Sequence, residues 1–135
     1  MPAMPQSHSL RTRLLPVLLL LPVLGATPVA AQTVYYGAFS YSPSTAAVGW
    51  GFDYPTRQEA EQSAMLNCRK HAGDCRLAIT VRNGCAAIAL GERKLVAMSG
   101  PTMRLAERAA LFDCRFTSSA LCEVLKSMCT TRGDP

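Results

Sequence analysis

The chain has 135 residues, 17% of them charged and 7% aromatic, with six cysteines, two histidines and a formal net charge of +5. That length is one domain's worth once a leader is allowed for, and the mild positive charge comes without a basic stripe, interleaved stacking aromatics or a recognisable module, so nucleic acid is not an expected partner. No glycine-rich phosphate loop and no metal-ligand motif occurs, so no cofactor or metal is expected.

Arg11 and Arg13 precede an apolar run from Leu14 to Leu24, and Val29-Ala30-Ala31 follows as a small-residue cleavage pattern. This reads as a secretory signal peptide over residues 1–31. A membrane anchor is the poorer reading, because the run is about half the length of a spanning helix and is broken by Pro16 and Pro22. Cleavage leaves a single secreted or periplasmic domain, 32–135, with no stable membrane insertion expected. Without Arg11 and Arg13 it carries 12 basic and 9 acidic residues, a net of +3.

Tyr35 to Ser42 reads as a strand, Pro43 to Ala47 as a turn, and Val48 to Tyr54 as a second strand in which Val48, Trp50, Phe52 and Tyr54 alternate with Gly49, Gly51 and Asp53. A helix follows, with Thr56 as N-cap and Glu59 three residues on as a capping box. Its apolar stripe is Ala60, Ala64, Met65 and Cys68, and Arg69 and Lys70 offset the negative end of the helix dipole. Cys75 to Leu90 reads as a hairpin: Asn83-Gly84 is the pair a type I′ turn demands. Pairing Arg82 with Cys85 would set Val81 on Ala86, Ile79 on Ile88 and Leu77 on Leu90, giving one wholly apolar face. Gly91 to Lys94 is a turn and Leu95 to Ser99 a short strand. After Gly100-Pro101, Thr102 caps a second helix with the stripe Ala106, Ala110, Leu111 and Cys114. Cys122 to Cys129 fits either a strand or a helix, since Glu123, Leu125 and Lys126 suit both.

The two helical stretches are copies. Thr56, Ala60, Glu61, Ala64 and Cys68 recur 46 residues later as Thr102, Ala106, Glu107, Ala110 and Cys114, and Cys75 is echoed one residue late by Cys122. The expected fold is α+β: a small disulfide-stapled domain of two ββαβ-like repeats, about 35–82 and 84–129, mainly antiparallel sheet with two helices that the alanines let lie close on it. All six cysteines follow the cleavage site, as exported disulfide proteins require. Six cysteines admit many pairings. The repeat suggests Cys68 with Cys75 and Cys114 with Cys122, leaving Cys85 for Cys129.

Tyr36-Gly37-Ala38-Phe39-Ser40-Tyr41-Ser42, Gly49-Trp50-Gly51, the helix with Ala60-Glu61 and Cys68, Gly73-Asp74-Cys75-Arg76, and Arg82-Asn83-Gly84-Cys85-Ala86-Ala87 together resemble the small secreted bacterial domain known as domain of unknown function 4189. The resemblance covers nearly all of Tyr35 to Cys129. It implies a bacterial, exported single domain, and supplies no activity, cofactor or catalytic residue.

Catalytic residues are not expected. His71 is the one histidine after the leader, in a predicted loop, and nothing places it beside a nucleophile. Asp53, Glu59 and Glu61 form the nearest acidic cluster, the basis of an alternative reading as a minor envelope hydrolase, though the capping box and the Glu61–Glu107 repeat explain two of them. A binding role fits better. Trp50, Tyr41 and Tyr54 belong to an aromatic ladder that the second copy lacks, which is either core or an exposed stacking surface. Arg104, Arg108 and Arg115 fall near one another on the second helix, either as a solvated face or as a site for an anionic envelope polymer or acidic partner. Arg132-Gly133-Asp134 spells an integrin-type tripeptide at a terminus, where chance is the simpler account. The expectation is thus an exported non-enzymatic binding domain with an unknown protein or envelope polymer as partner, inhibitor-like or immunity-like in its size; a purely structural envelope role is the third reading.

Overall fold

The computed structural model describes Gly25 and residues 31–92, 94–117 and 121–131. Most of the predicted leader and the Arg132-Gly133-Asp134 tripeptide lie outside the described residues. Residues 32–135 form one compact unit that holds every described element, all three cores and all three disulfides.

The elements run β1 (Tyr36–Tyr41), β2 (Val48–Tyr54), α1 (Arg57–Arg69), β3 (Arg76–Arg82), β4 (Cys85–Leu90), β5 (Leu95–Gly100), α2 (Met103–Thr117) and β6 (Glu123–Cys129). They form two three-stranded antiparallel sheets, ordered β2-β1-β3 and β5-β4-β6. Each half is therefore ββαβ with its first strand in the middle. The last segment is a strand: its alternate residues find the free edge of β4, and that ladder outweighs the helix propensity of Glu123, Leu125 and Lys126.

Side-chain alternation along the middle strands builds four layers. On β1, Ala38 and Ser40 face α1 while Phe39 faces the other sheet; on β4, Cys85, Ala87 and Ala89 face α2 while Ala86 and Ile88 face inward. The space between the sheets is filled by Phe39, Val81, Ala86 and Ile88, edged by Val48, Phe52, Ile79, Leu95 and Met128. Phe39 packs tilted on Phe52 at 5.2 Å between ring centroids. Beneath the helices the packing is of small residues: Ala60, Ala64 and Cys68 on α1, Ala106, Ala110 and Cys114 on α2. Both helices start on a threonine whose hydroxyl accepts an amide three residues on, from Glu59 at 3.2 Å and from Leu105 at 3.2 Å. In α1 the Thr56 hydroxyl also donates to the Glu59 carboxylate, so the side chains pair with each other where a full capping box would return to the backbone.

Three disulfides lie in this frame: Cys68–Cys75 and Cys114–Cys122, each from a helix to the start of the next strand, and Cys85–Cys129 between neighbouring residues of β4 and β6.

The predicted hairpin is not formed. β3 and β4 belong to different sheets, and Asn83-Gly84 is the crossing between them. A type I′ turn needs positive φ at both central residues; Asn83 has φ 46° and Gly84 does not have positive φ. Each residue is held by a different sheet. Asn83 exchanges hydrogen bonds with Tyr35, its amide donating to the Tyr35 carbonyl at 2.9 Å and its side-chain oxygen accepting the Tyr35 amide at 2.8 Å, while the Gly84 carbonyl accepts the Thr130 amide at 2.9 Å. The apolar faces of β3 and β4 thus meet face to face across the sandwich.

Two bulges move predicted face residues. Between Phe39 and Ser40 the β1–β3 register shifts by one, which sends Leu77 to the α1 side, where it is largely exposed. Near Asp53 (φ 63°) the β1–β2 register also shifts, so Tyr54 packs with Tyr36 against Ala60 and Ala64 while Phe52 stays between the sheets. The predicted ladder of Trp50, Phe52 and Tyr54 is therefore split over two faces.

Candidate functional site

The residues picked from the sequence do not converge. Trp50 lies on the edge strand β2, 38% exposed, with the Lys126 ammonium of the opposite sheet 4.4 Å above its ring centroid. Tyr41 is half-buried at the end of β1, lining a hollow with Ser42, Pro43 and Leu95. Tyr54 is half-buried beside α1, its hydroxyl donating to Ser63 at 2.9 Å. Arg104 and Arg108 are exposed on α2, on the other half of the domain.

The carboxylates are each engaged separately. Asp53 accepts the Thr131 amide at 2.5 Å, Glu59 is tied to Thr56, and Glu61 accepts the Thr80 hydroxyl at 2.7 Å with Arg57 at 3.6 Å. Glu107 repeats the Glu61 arrangement by accepting the Ser127 hydroxyl at 2.5 Å, so in both halves this position pins the helix to the closing strand. His71 is exposed after α1. Among the described residues no three His, Cys, Asp or Glu side chains converge as a metal site.

Asp74, within the Gly73-Asp74-Cys75 motif, ties two loops together. Its carboxylate accepts the Ser42 hydroxyl through one oxygen and the Ser44 amide at 3.0 Å through the other. The Ser42 hydrogen bond is the main cause, with Ser44 adding to it, that holds its carboxyl below the usual aspartate range against a smaller opposing desolvation. A folded pKa below the unfolded one means a contribution fully present above the unfolded value and lost as pH falls through the folded one. The Asp74 carboxyl should therefore titrate below ordinary aspartate in an NMR titration, and Asp74→Asn should remove the acid response of the Ser42–Ala46 amides. Titration at or above the ordinary value would contradict this clamp.

The outer face of α2 is where the two halves differ most. The helix packs on β4, β5 and β6 through Ala106, Ala110 and Cys114. At 3.6 residues per turn, Arg104, Arg108, Arg115, Phe112, Leu105 and Phe116 then fall within an arc of about 120° pointing the other way, arginines on one edge and apolar residues on the other. Phe112 is 74% and Phe116 83% exposed, stacked on each other at 6.4 Å. They and Arg108, Leu111 and Arg115 line an open groove of about 450 Å³. Beyond the helix, Leu121 is 97% exposed beside Cys122, whose disulfide to Cys114 fastens the segment to the helix. Among the described residues, Arg104, Arg108 and Arg115 make no ion pair. The corresponding face of α1 carries Gln58, Gln62, Arg69 and a single exposed large apolar residue, Leu66. The sequence reading found the arginines and passed over Phe112 and Phe116; their i, i+4 spacing opposite the alanine stripe was the available signal.

The family model described as a domain of unknown function (DUF4189) matches residues 36–129. Protein Rv1269c of Mycobacterium tuberculosis (strain ATCC 25618 / H37Rv) and Protein Mb1300c of Mycobacterium bovis are each 37% identical over 76 residues, which is 56% of this chain and 58% of theirs. The chain thus matches a little over half the length of these curated relatives. The NMR structure of Rv1813c from Mycobacterium tuberculosis is similar over 96% of this chain and 98% of its own, with a TM-score of 0.56 and 24% identity, which shows a shared fold.

Proposed function

We propose, for a chain that belongs to the family described as a domain of unknown function (DUF4189), that it is an exported, non-enzymatic binding domain whose working surface is the arginine and aromatic face of α2. Export is supported by the leader pattern of residues 1–31 and by the three disulfides, which persist in oxidising compartments. Among the described residues no helix is long and apolar enough to cross a membrane.

The observation that carries the reading is the pair Phe112 and Phe116, left in water on a helix whose other face is well packed. Two phenylalanines this exposed bury little area on folding, and clustered exposed apolar residues mark interaction surfaces. Three arginines beside them that make no ion pair among the described residues make an anionic partner the complementary one. The engaged, separated carboxylates favour binding over hydrolysis.

Immobilised residues 32–135 should retain a component of the parent organism's envelope or culture-medium fractions. Arg108→Glu with Phe112→Ser should abolish retention while the circular dichroism spectrum is unchanged. Equal retention by both proteins would move the function away from α2.

A further inference from the structure

We propose that the partner of the α2 face is an anionic lipid bilayer surface, on which the domain docks peripherally; this rests on the reading of α2 as the working surface. Two features of the face must be satisfied together. Arg104, Arg108 and Arg115 ask for negative charge, and Leu105, Phe112 and Phe116 ask for a dry apolar volume.

A charged polysaccharide supplies the first and little of the second. A second copy of the chain supplies apolar surface but brings three more arginines and no matching negative charge. An anionic bilayer supplies both within a few ångströms: headgroups at the level of the guanidinium groups and acyl chains just beneath.

The arrangement of the face suits this partner. A helix that lies in a membrane interface buries its apolar edge about 5–10 Å deep while cationic side chains stay among the headgroups. On α2 the arginines and the apolar residues occupy adjacent edges of one outward arc. The apolar part is concentrated toward the C-terminal end, in the stacked pair Phe112 and Phe116. The acidic residues of α2 stand clear of the arc: Glu107 is turned to Ser127, and Asp113 falls on the half-buried flank.

The test is co-sedimentation of residues 32–135 with vesicles of phosphatidylcholine alone and with about a third phosphatidylglycerol. Binding to the anionic vesicles should be at least tenfold tighter and should weaken with salt, since each arginine near an anionic surface is worth about fivefold. Arg104→Glu/Arg108→Glu and Phe112→Ser/Phe116→Ser should each reduce it at least tenfold, with the disulfides and circular dichroism intact. Leu66→Ser on α1 should leave it unchanged. Absence of binding to anionic vesicles, or equal binding to both kinds, overturns the inference, as does self-association in sedimentation equilibrium that the phenylalanine variant abolishes. If vesicles fail while an envelope component is still retained in an α2-dependent way, the lipid assignment falls and the binding surface stands; if the α2 variants change neither, both fall.

Discussion

Gly49→Ala should destabilise the domain by about 4 kcal/mol and lower its melting temperature by about 15 °C or more. A Cβ at Gly49 would fall on the carbonyl oxygen of Ala64 and the amide nitrogen of Cys68. Both are backbone atoms in the C-terminal half of α1, and neither can swing away as a flexible side chain could. Overpacking of this kind costs about 1–3 kcal/mol by itself. The same methyl group would disturb the buried Ser40 hydroxyl, which donates to that Ala64 carbonyl at 2.6 Å, and an unpaired buried hydroxyl adds about 1–3 kcal/mol. Gly51→Ala should cost less, because its nearest contacts, Ser63 Cβ at 2.6 Å and the Ala60 carbonyl at 2.7 Å, are less severe than the 2.1 and 2.4 Å contacts at Gly49. Gly73→Ala meets open space and serves as the control. Chemical denaturation measures all three, and a Gly49→Ala protein within 1 kcal/mol of wild type would mean that α1 is not seated on β2 as described.

The second large effect is expected from Cys85→Ala/Cys129→Ala. This disulfide closes a separation of 44 residues, against 7 and 8 for the other two. In the chain-entropy account its removal frees about 4 kcal/mol of unfolded-state entropy, and removal of either short link about 2.5 kcal/mol. The bond joins the first and last strands of the second half, and the buried Cys85 also belongs to the core under α2. That core is built largely from alanine, valine and cysteine, so it has little burial in reserve to offset the loss. The double variant should show the largest fall in denaturation midpoint among the three disulfide deletions. A larger loss on deleting Cys68–Cys75 would refute the ranking.

Much of the architecture was legible because it depends on local chemistry. Thr56 with Glu59, and Thr102 after Gly100-Pro101, announce helix starts wherever they occur. Ala60, Ala64 and Cys68, repeated as Ala106, Ala110 and Cys114, announce two equivalent helices with narrow buried faces, and from them the ββαβ duplication follows. Pairing between strands was harder. Asn83-Gly84 carries a strong hairpin signal, yet Tyr35 and Thr130 are distant in sequence and compete for its backbone groups. The bulges at Asp53 and between Phe39 and Ser40 had no signal strong enough to place them, and each reverses the face of what lies beyond it: Tyr54 in one case, Leu77 in the other.

The candidate site shows the same division. The arginines of α2 were visible as a cluster because helical spacing alone brings Arg104, Arg108 and Arg115 together. Trp50, Tyr41 and Tyr54 were grouped by alternation along the strands, and the fold spreads them over an edge, a loop hollow and a helix flank.

The sequence by itself determined both helices, which side of each is buried and all strands but the last, since these follow from propensity, capping and periodicity within about ten residues, and it showed the duplication and the α+β class by the match between the two halves. Only the tertiary structure decided that β3 and β4 stack across two sheets, that the aromatic ladder is divided, and that Phe112 and Phe116 are left uncovered beside the arginines. The reason is physical. Which edge a strand finds, and which surface no partner covers, depends on competition among segments far apart in the chain, and no single stretch carries the outcome of that competition.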